Sequence, residues 1–123
     1  MLKTTRFELS TTEIGAHAFV VSLNGDVDLY TAPELKTELH RLIDAGAKRI
    51  IVDLTSATFI DSTTLGVLLG VLKRFRPGGG EIVLVCSDPN IRRIFEITLL
   101  DRVFTIFGAR EDAVAFPPAS STT

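Results

Sequence analysis

Cysteine is almost missing from this chain: Cys86 stands alone, so no internal disulfide can staple the fold. It closes the apolar run Ile82 to Val85 and reads as a small buried hydrophobe, not a nucleophile. Histidine is nearly as scarce. His17 and His40 lack carboxylate or cysteine neighbours at ligand spacing, so no metal and no cofactor is expected. No apolar stretch approaches the roughly 20 residues that a membrane helix needs. The opening residues, Met1-Leu2-Lys3-Thr4-Thr5-Arg6-Phe7, lack the apolar run of a secretory signal. Charge of one sign is also lacking. A formal net charge of -2 argues against general affinity for nucleic acid or for a membrane surface. What is left is a chain of 123 residues, 46% hydrophobic and 23% charged, suited to one core and to the cytoplasm.

Patterning then supplies the elements. Phe7 and Leu9 alternate with polar neighbours, and Ala18 to Leu23 is apolar, so a β-hairpin turning at Glu13-Ile14-Gly15 is predicted. Arg49 to Leu54 and Glu81 to Cys86 are continuous apolar runs, as in strands covered on both faces. Phe104 to Phe107 is a weaker strand signal. A first helix opens with Thr31 and Glu34 at capping-box spacing and Pro33 in the first turn. Tyr30 and Leu35 are placed to staple it, Leu35, Leu39, Leu42 and Ile43 mark its inner face, and Gly46 ends it. A second helix runs from about Ser62 to Phe75 and stops before Pro77-Gly78-Gly79-Gly80. A third starts at the Asp88-Pro89 cap with Ile91, Ile94 and Phe95 inward, and a short fourth follows Gly108 through Glu111 to Phe116. The order β-β-α-β-α-β-α-β-α predicts an α/β domain over residues 1–116, a mixed, mainly parallel sheet of about five strands with about four helices. Pro117 to Thr123 reads as a disordered C-terminal tail.

The second helix carries the functional signal. On a helical projection Leu65, Leu68, Leu69, Leu72 and Phe75 face the core, Gly66, Gly70, Lys73 and Arg74 lie opposite, and Val67 sits at the border. Each glycine in an exposed helix interior costs about 1 kcal/mol relative to alanine. Two on one face therefore require a reason: either another element of the domain packs there, or a partner docks there. Just before them comes Asp61-Ser62-Thr63-Thr64. Asp61 or Ser62 suffices as an N-cap, which leaves Thr63 and Thr64 unexplained as mediocre helix formers. Their hydroxyls are expected to face solvent in the first turn. Phosphorylation there adds about -1.5 to -2 charges, tolerable at the helix N-terminus but disruptive to a docked apolar or acidic partner.

These residues resemble the STAS-domain anti-sigma factor antagonists of bacteria. The resemblance runs from about Phe7 to Phe116. It rests on Leu23-Asn24-Gly25-Asp26-Val27-Asp28 with Thr31-Ala32-Pro33-Glu34-Leu35, on Val52-Asp53-Leu54 leading to Phe59-Ile60-Asp61-Ser62, on Leu65-Gly66-Val67-Leu68-Leu69, and on the Ile91 to Phe107 pattern. It implies a STAS fold and a non-enzymatic module. Such a module binds an anti-sigma factor that is also a serine/threonine kinase, releasing the sigma factor. The kinase inactivates it by phosphorylation and a PP2C-type phosphatase restores it. The matching acceptor here is Thr63, with Ser62 just before it, and Asp28 matches the acidic residue that the family needs near the site. Together with the helix surface, the expected partner-contacting set is Asp28, Asp61, Ser62, Thr63, Thr64, Gly66, Val67, Gly70 and Arg74. Two departures stand out: threonine replaces the usual serine, and Thr64 replaces the usual glycine, where it is expected to crowd the helix entrance. The alternative implied by the wider superfamily is a structural STAS subunit of a lipid-transport or stress-signalling complex with no phosphorylation cycle.

Other candidates carry less. Asp26, Asp28, Asp53 and Asp61 are close enough in predicted topology to cluster as an acid/base set, but caps and turns account for them. Gly78-Gly79-Gly80 follows a helix and precedes a strand, the reverse of a phosphate loop, and so is a turn. Lys73, Arg74, Arg76, Arg92 and Arg93 are candidates for a basic patch, read as solvated faces or a protein-partner surface and not as a nucleic-acid site.

Overall fold

The Arg49–Leu54 and Glu81–Cys86 runs form the centre of a five-stranded sheet, as their unbroken apolar character requires. A computed structural model describes residues 7–116, so the expected tail at 117–123 lies outside the described residues. In chain order the strands are β1 (Glu8–Gly15), β2 (Ala18–Val27), β3 (Arg49–Ile60), β4 (Glu81–Val85) and β5 (Thr105–Phe107). The helices are α1 (Ala32–Asp44), α2 (Ser62–Phe75), α3 (Pro89–Ile97) and α4 (Arg110–Ala115). The strands lie side by side in sequence order, β1 antiparallel to β2 and the rest parallel. This is the mixed, mainly parallel sheet that the sequence predicts, with the predicted element order.

Alternation along the strands sorts the two faces. Val21, Leu23, Ile50, Val52, Leu54, Ile82 and Leu84 point to one side, where Leu35, Leu39 and Leu42 of α1, five apolar residues of α2, and Ile91 and Phe95 of α3 close the main core. Val20, Ile51, Val83 and Val85 point to the other side, where Ala113 of α4 and Phe107 cover them. So short a helix buries little, and arginines hold it. Arg49 donates to the carbonyls of Ala113 (2.9 Å) and Phe116 (2.6 Å) and pairs with its cross-strand neighbour Glu81 at 2.9 Å. Arg110 pairs with Asp53 at 2.8 Å and also donates to the Ser22 hydroxyl. The Phe116 ring stacks at a tilt on Phe107, centroids 5.1 Å apart.

Several local expectations change. The hairpin turns at Ala16-His17, not at Glu13-Ile14-Gly15, and His17 takes the left-handed region at φ 63. Its carbonyl accepts from the amides of Lys48 (2.7 Å) and Arg49 (3.1 Å), anchoring the start of β3. β2 and β3 extend well past Leu23 and Leu54 because the pairing tolerates two register shifts, between Ser22 and Asn24 and between Gly25 and Asp26. Leu54, Ala57 and Ile60 are buried with two exposed residues between each, a rhythm of three that hides the strand from a period-two reading. Tyr30 does not staple α1: it is 82% exposed. Thr31 does not cap with its side chain either. Its hydroxyl instead bonds backward to the Asp26 carbonyl at 2.9 Å and receives the Asp28 amide at 2.8 Å. In α2 the buried stripe is Thr64, Leu65, Leu68, Val71, Leu72 and Phe75, while Leu69 is half-buried, so the helix is rotated from the predicted wheel. The glycine run after α2 is a turn, as expected. A Cβ on Gly80 would stand 2.1 Å from the Phe75 ring, so only glycine lets that ring close the core.

Candidate functional site

The polar run between β3 and α2 divides its work by position. Asp61 is the N-cap, extended at φ -125 and ψ -177, and its Oδ1 accepts the Thr64 amide at 3.1 Å. Thr64 is fully buried, and its hydroxyl donates to the Val27 carbonyl at 2.7 Å. That bond ties the first turn of α2 to the end of β2. Thr64 therefore neither faces solvent nor crowds the entrance, and it is withdrawn from the partner-contacting set. Ser62 and Thr63 are exposed, and their hydroxyls have no hydrogen-bond partner among the described residues.

Asp28 builds the neighbouring loop. Its Oδ1 accepts the amides of Tyr30 (2.9 Å) and Thr31 (3.2 Å), and its carbonyl accepts Ala32 N–H at 2.7 Å. One carboxylate oxygen thus shapes the turn, in which Leu29 and Tyr30 are 56% and 82% exposed. Phe59, which pairs in register with Asp26 at the same end of the sheet, is 48% exposed. The outward exposure of these three apolar side chains was not read from sequence. Only the carboxylate's position two residues before Tyr30, an Asx-turn spacing, gives a signal for the loop's shape.

Gly66 and Gly70 are exposed, and a Cβ on either would meet nothing within 4 Å. Among the described residues no element lies against them, which argues against the internal-packing explanation. They form part of an open groove of about 430 Å³ between α1 and α2, lined by Lys36, His40, Thr63, Val67 and Val71 as well. Arg74 reaches His40, one of the lining residues. The guanidinium contacts His40 Nδ1 at 2.8 Å and pairs with Asp44, whose carboxyl it holds below the usual range by hydrogen bond and charge. Arg74 is thus a brace between the two helices first, and its availability to a partner is reduced.

The remaining candidates have local partners. Asp53 lies on the α4 side of the sheet, apart from the cap at Asp61. Burial pushes its carboxyl up, but hydrogen bonds from Thr55 and Arg110 outweigh this and leave it lowered. Asp26 accepts from the Thr58 hydroxyl at 2.6 Å. Each of the four aspartates accepts hydrogen bonds in its own local structure. Of the five basic candidates, Arg74 is paired with Asp44 and Arg92 donates to the Cys86 carbonyl at 3.1 Å. Cys86 is buried, and burial raises its thiol's pKa. Among the described residues no group of three or more His, Cys, Asp and Glu is placed to hold a metal, and no helix is long and apolar enough to cross a membrane.

A cap, a buried stitch and two free hydroxyls beside a bare groove can be set against known proteins. The STAS domain family matches residues 9–113. This chain belongs to the STAS-domain family. The anti-sigma-B factor antagonist of Staphylococcus aureus is 35% identical over 80 residues, covering 65% of this chain and 74% of its own. An anti-sigma factor antagonist from Mycobacterium paratuberculosis superposes with a TM-score of 0.77 at 26% identity, over 87% of this STAS chain and 92% of that one. The phosphorylated form of the Bacillus cell fate determinant SpoIIAA shares the fold, with a TM-score of 0.71 at 20% identity over 87% of this chain and 96% of that one.

Proposed function

We propose that this STAS domain is a cytoplasmic anti-sigma factor antagonist, switched off by phosphorylation at Thr63. The observation that carries the reading is the contrast within one helical turn. Thr64 is buried and bonded, whereas the Thr63 hydroxyl is exposed, unengaged and on the rim of the groove that Gly66 and Gly70 leave open. The names of the S. aureus and M. paratuberculosis relatives support the antagonist assignment. Ser62 is exposed too but does not line the groove, which makes it the lesser acceptor.

In this reading the partner is an anti-sigma factor with serine/threonine kinase activity. It seats on the first turn of α2, the glycine-floored groove and the outward Leu29, Tyr30 and Phe59. An exposed tyrosine held by a rigid turn loses little entropy on binding and is a typical anchor. Bound kinase directs the Thr63 Oγ1 to the γ-phosphorus of ATP. An O–P bond forms, the bond to the β-γ bridging oxygen breaks, ADP leaves, and the hydroxyl proton passes to a base of the kinase. The added charge of about -1.5 to -2 then sits on the docking face. A PP2C-type phosphatase hydrolyses the ester and restores binding.

The test is incubation with the kinase and ATP followed by mass mapping. Phosphate is expected on Thr63, and Thr63→Ala should abolish it while keeping partner binding. Phosphate on neither Thr63 nor Ser62 would reject the switch.

A further inference from the structure

We infer that Lys36 of α1 is the intramolecular partner of a phosphate on Thr63, so that modification ties α1 to α2 across the groove as well as charging the docking face. This rests on the phosphorylation reading above and adds the group that receives the phosphate. The geometry follows from the crossovers. α1 joins the parallel strands β2 and β3, and α2 joins β3 and β4, so both helices run in the same direction. Arg74 bonds both His40 and Asp44, which sets the relative height of the two helices. At 1.5 Å per residue, Lys36 then lies about 5 to 10 Å further along the groove than Thr63. Helical side chains lean toward the N-terminus, which carries the Lys36 stem toward Thr63.

Lys36 and Thr63 line the same groove, and Gly66 contributes no side chain to it. The other titratable groups nearby are committed: His40 contacts Arg74, the Asp61 Oδ1 accepts the Thr64 amide, and the Asp28 Oδ1 accepts two amides of its own turn. Lys36 is exposed and has no ion-pair partner among the described residues. An ammonium on a flexible stem facing a dianion forms a charge-assisted contact.

The experiment installs phosphothreonine at position 63 during translation and follows the second ionisation of the phosphate by ³¹P NMR. A free phosphomonoester titrates near pH 6. The midpoint should lie about 0.2 to 0.7 unit lower in the parent phosphoprotein than in Lys36→Gln, with Lys36→Arg restoring the low value. Phosphoserine installed at position 62 should titrate alike with and without Lys36. Equal midpoints for position 63 in parent and Lys36→Gln would overturn the inference, as would an equal Lys36 effect at position 62, which marks general charge screening. Because the phosphate is installed directly, a kinase that fails to modify Thr63 refutes the parent reading without touching this result.

Discussion

The α1–α2 groove and the seat of α4 use polar side chains in opposite ways. Beneath α4, almost every polar group is consumed: Arg49 reaches two carbonyls and a carboxylate, and Arg110 reaches Asp53 and Ser22. A helix spanning only Arg110–Ala115 has too little apolar surface to dock by burial, so fixed charge and hydrogen bonds supply the attachment. At the groove, burial by α1 and α2 already suffices, and polar groups are left over. Ser62, Thr63 and Lys36 have no structural task, and the glycines have no neighbour. Under the proposed function, these polar groups that the fold does not need, beside a surface that it does not fill, belong to the docking face.

The comparison breaks hardest at Arg49. Arg49→Ala removes the guanidinium that Glu81 and two helix-end carbonyls share and should cost about 3 kcal/mol or more, read by denaturant melts. Lys36→Ala, a change of similar type at the groove, should stay within about 0.5 kcal/mol. Next comes the threonine pair. Thr64→Val removes the hydroxyl that satisfies the Val27 carbonyl and should destabilise by about 1–3 kcal/mol, whereas Thr63→Val should be nearly silent in the same melts. Equal losses would show that the two hydroxyls are not divided between fold and function.

Smaller effects sharpen the contrast. Gly70→Leu meets open space in an exposed helix and should raise stability by up to about 1 kcal/mol while weakening the anti-sigma factor in a titration. A loss of stability instead would restore the internal-packing explanation. The slightest effect is in acid. The Asp53 carboxyl is lowered on folding, so its stabilisation is present above the ordinary aspartate value of about 4 and is lost as pH falls through the depressed value. Arg110→Ala should flatten the stability profile in that acid window and leave its neutral-pH slope unchanged.

Much of this was legible in the residues, for identifiable reasons. β3 and β4 announce themselves because strands covered on both faces are apolar without interruption, and the turn at Gly78 to Gly80 follows from composition. The far ends of β2 and β3 were not legible, because register shifts replace alternation with the spacing Leu54, Ala57, Ile60. Thr31 fits a capping box by spacing, yet its hydroxyl is drawn to the Asp26 carbonyl, a competitor that no local pattern reveals. Tyr30 was mistaken for a staple because an apolar residue at that offset has two uses, packing inward or projecting outward.

The sequence by itself determined the element order, the family and the short stretch where regulation is expected, since periodicity and motif spacing are properties of neighbours along the chain. Only the tertiary structure decided what each hydroxyl in that stretch does. Thr63 and Thr64 are adjacent and chemically identical, but they are separated by 100° of helix rotation. One faces the Val27 carbonyl across the chain and the other faces the groove toward Lys36. That distinction depends on which strand end lies beneath the helix, and a linear pattern does not contain it.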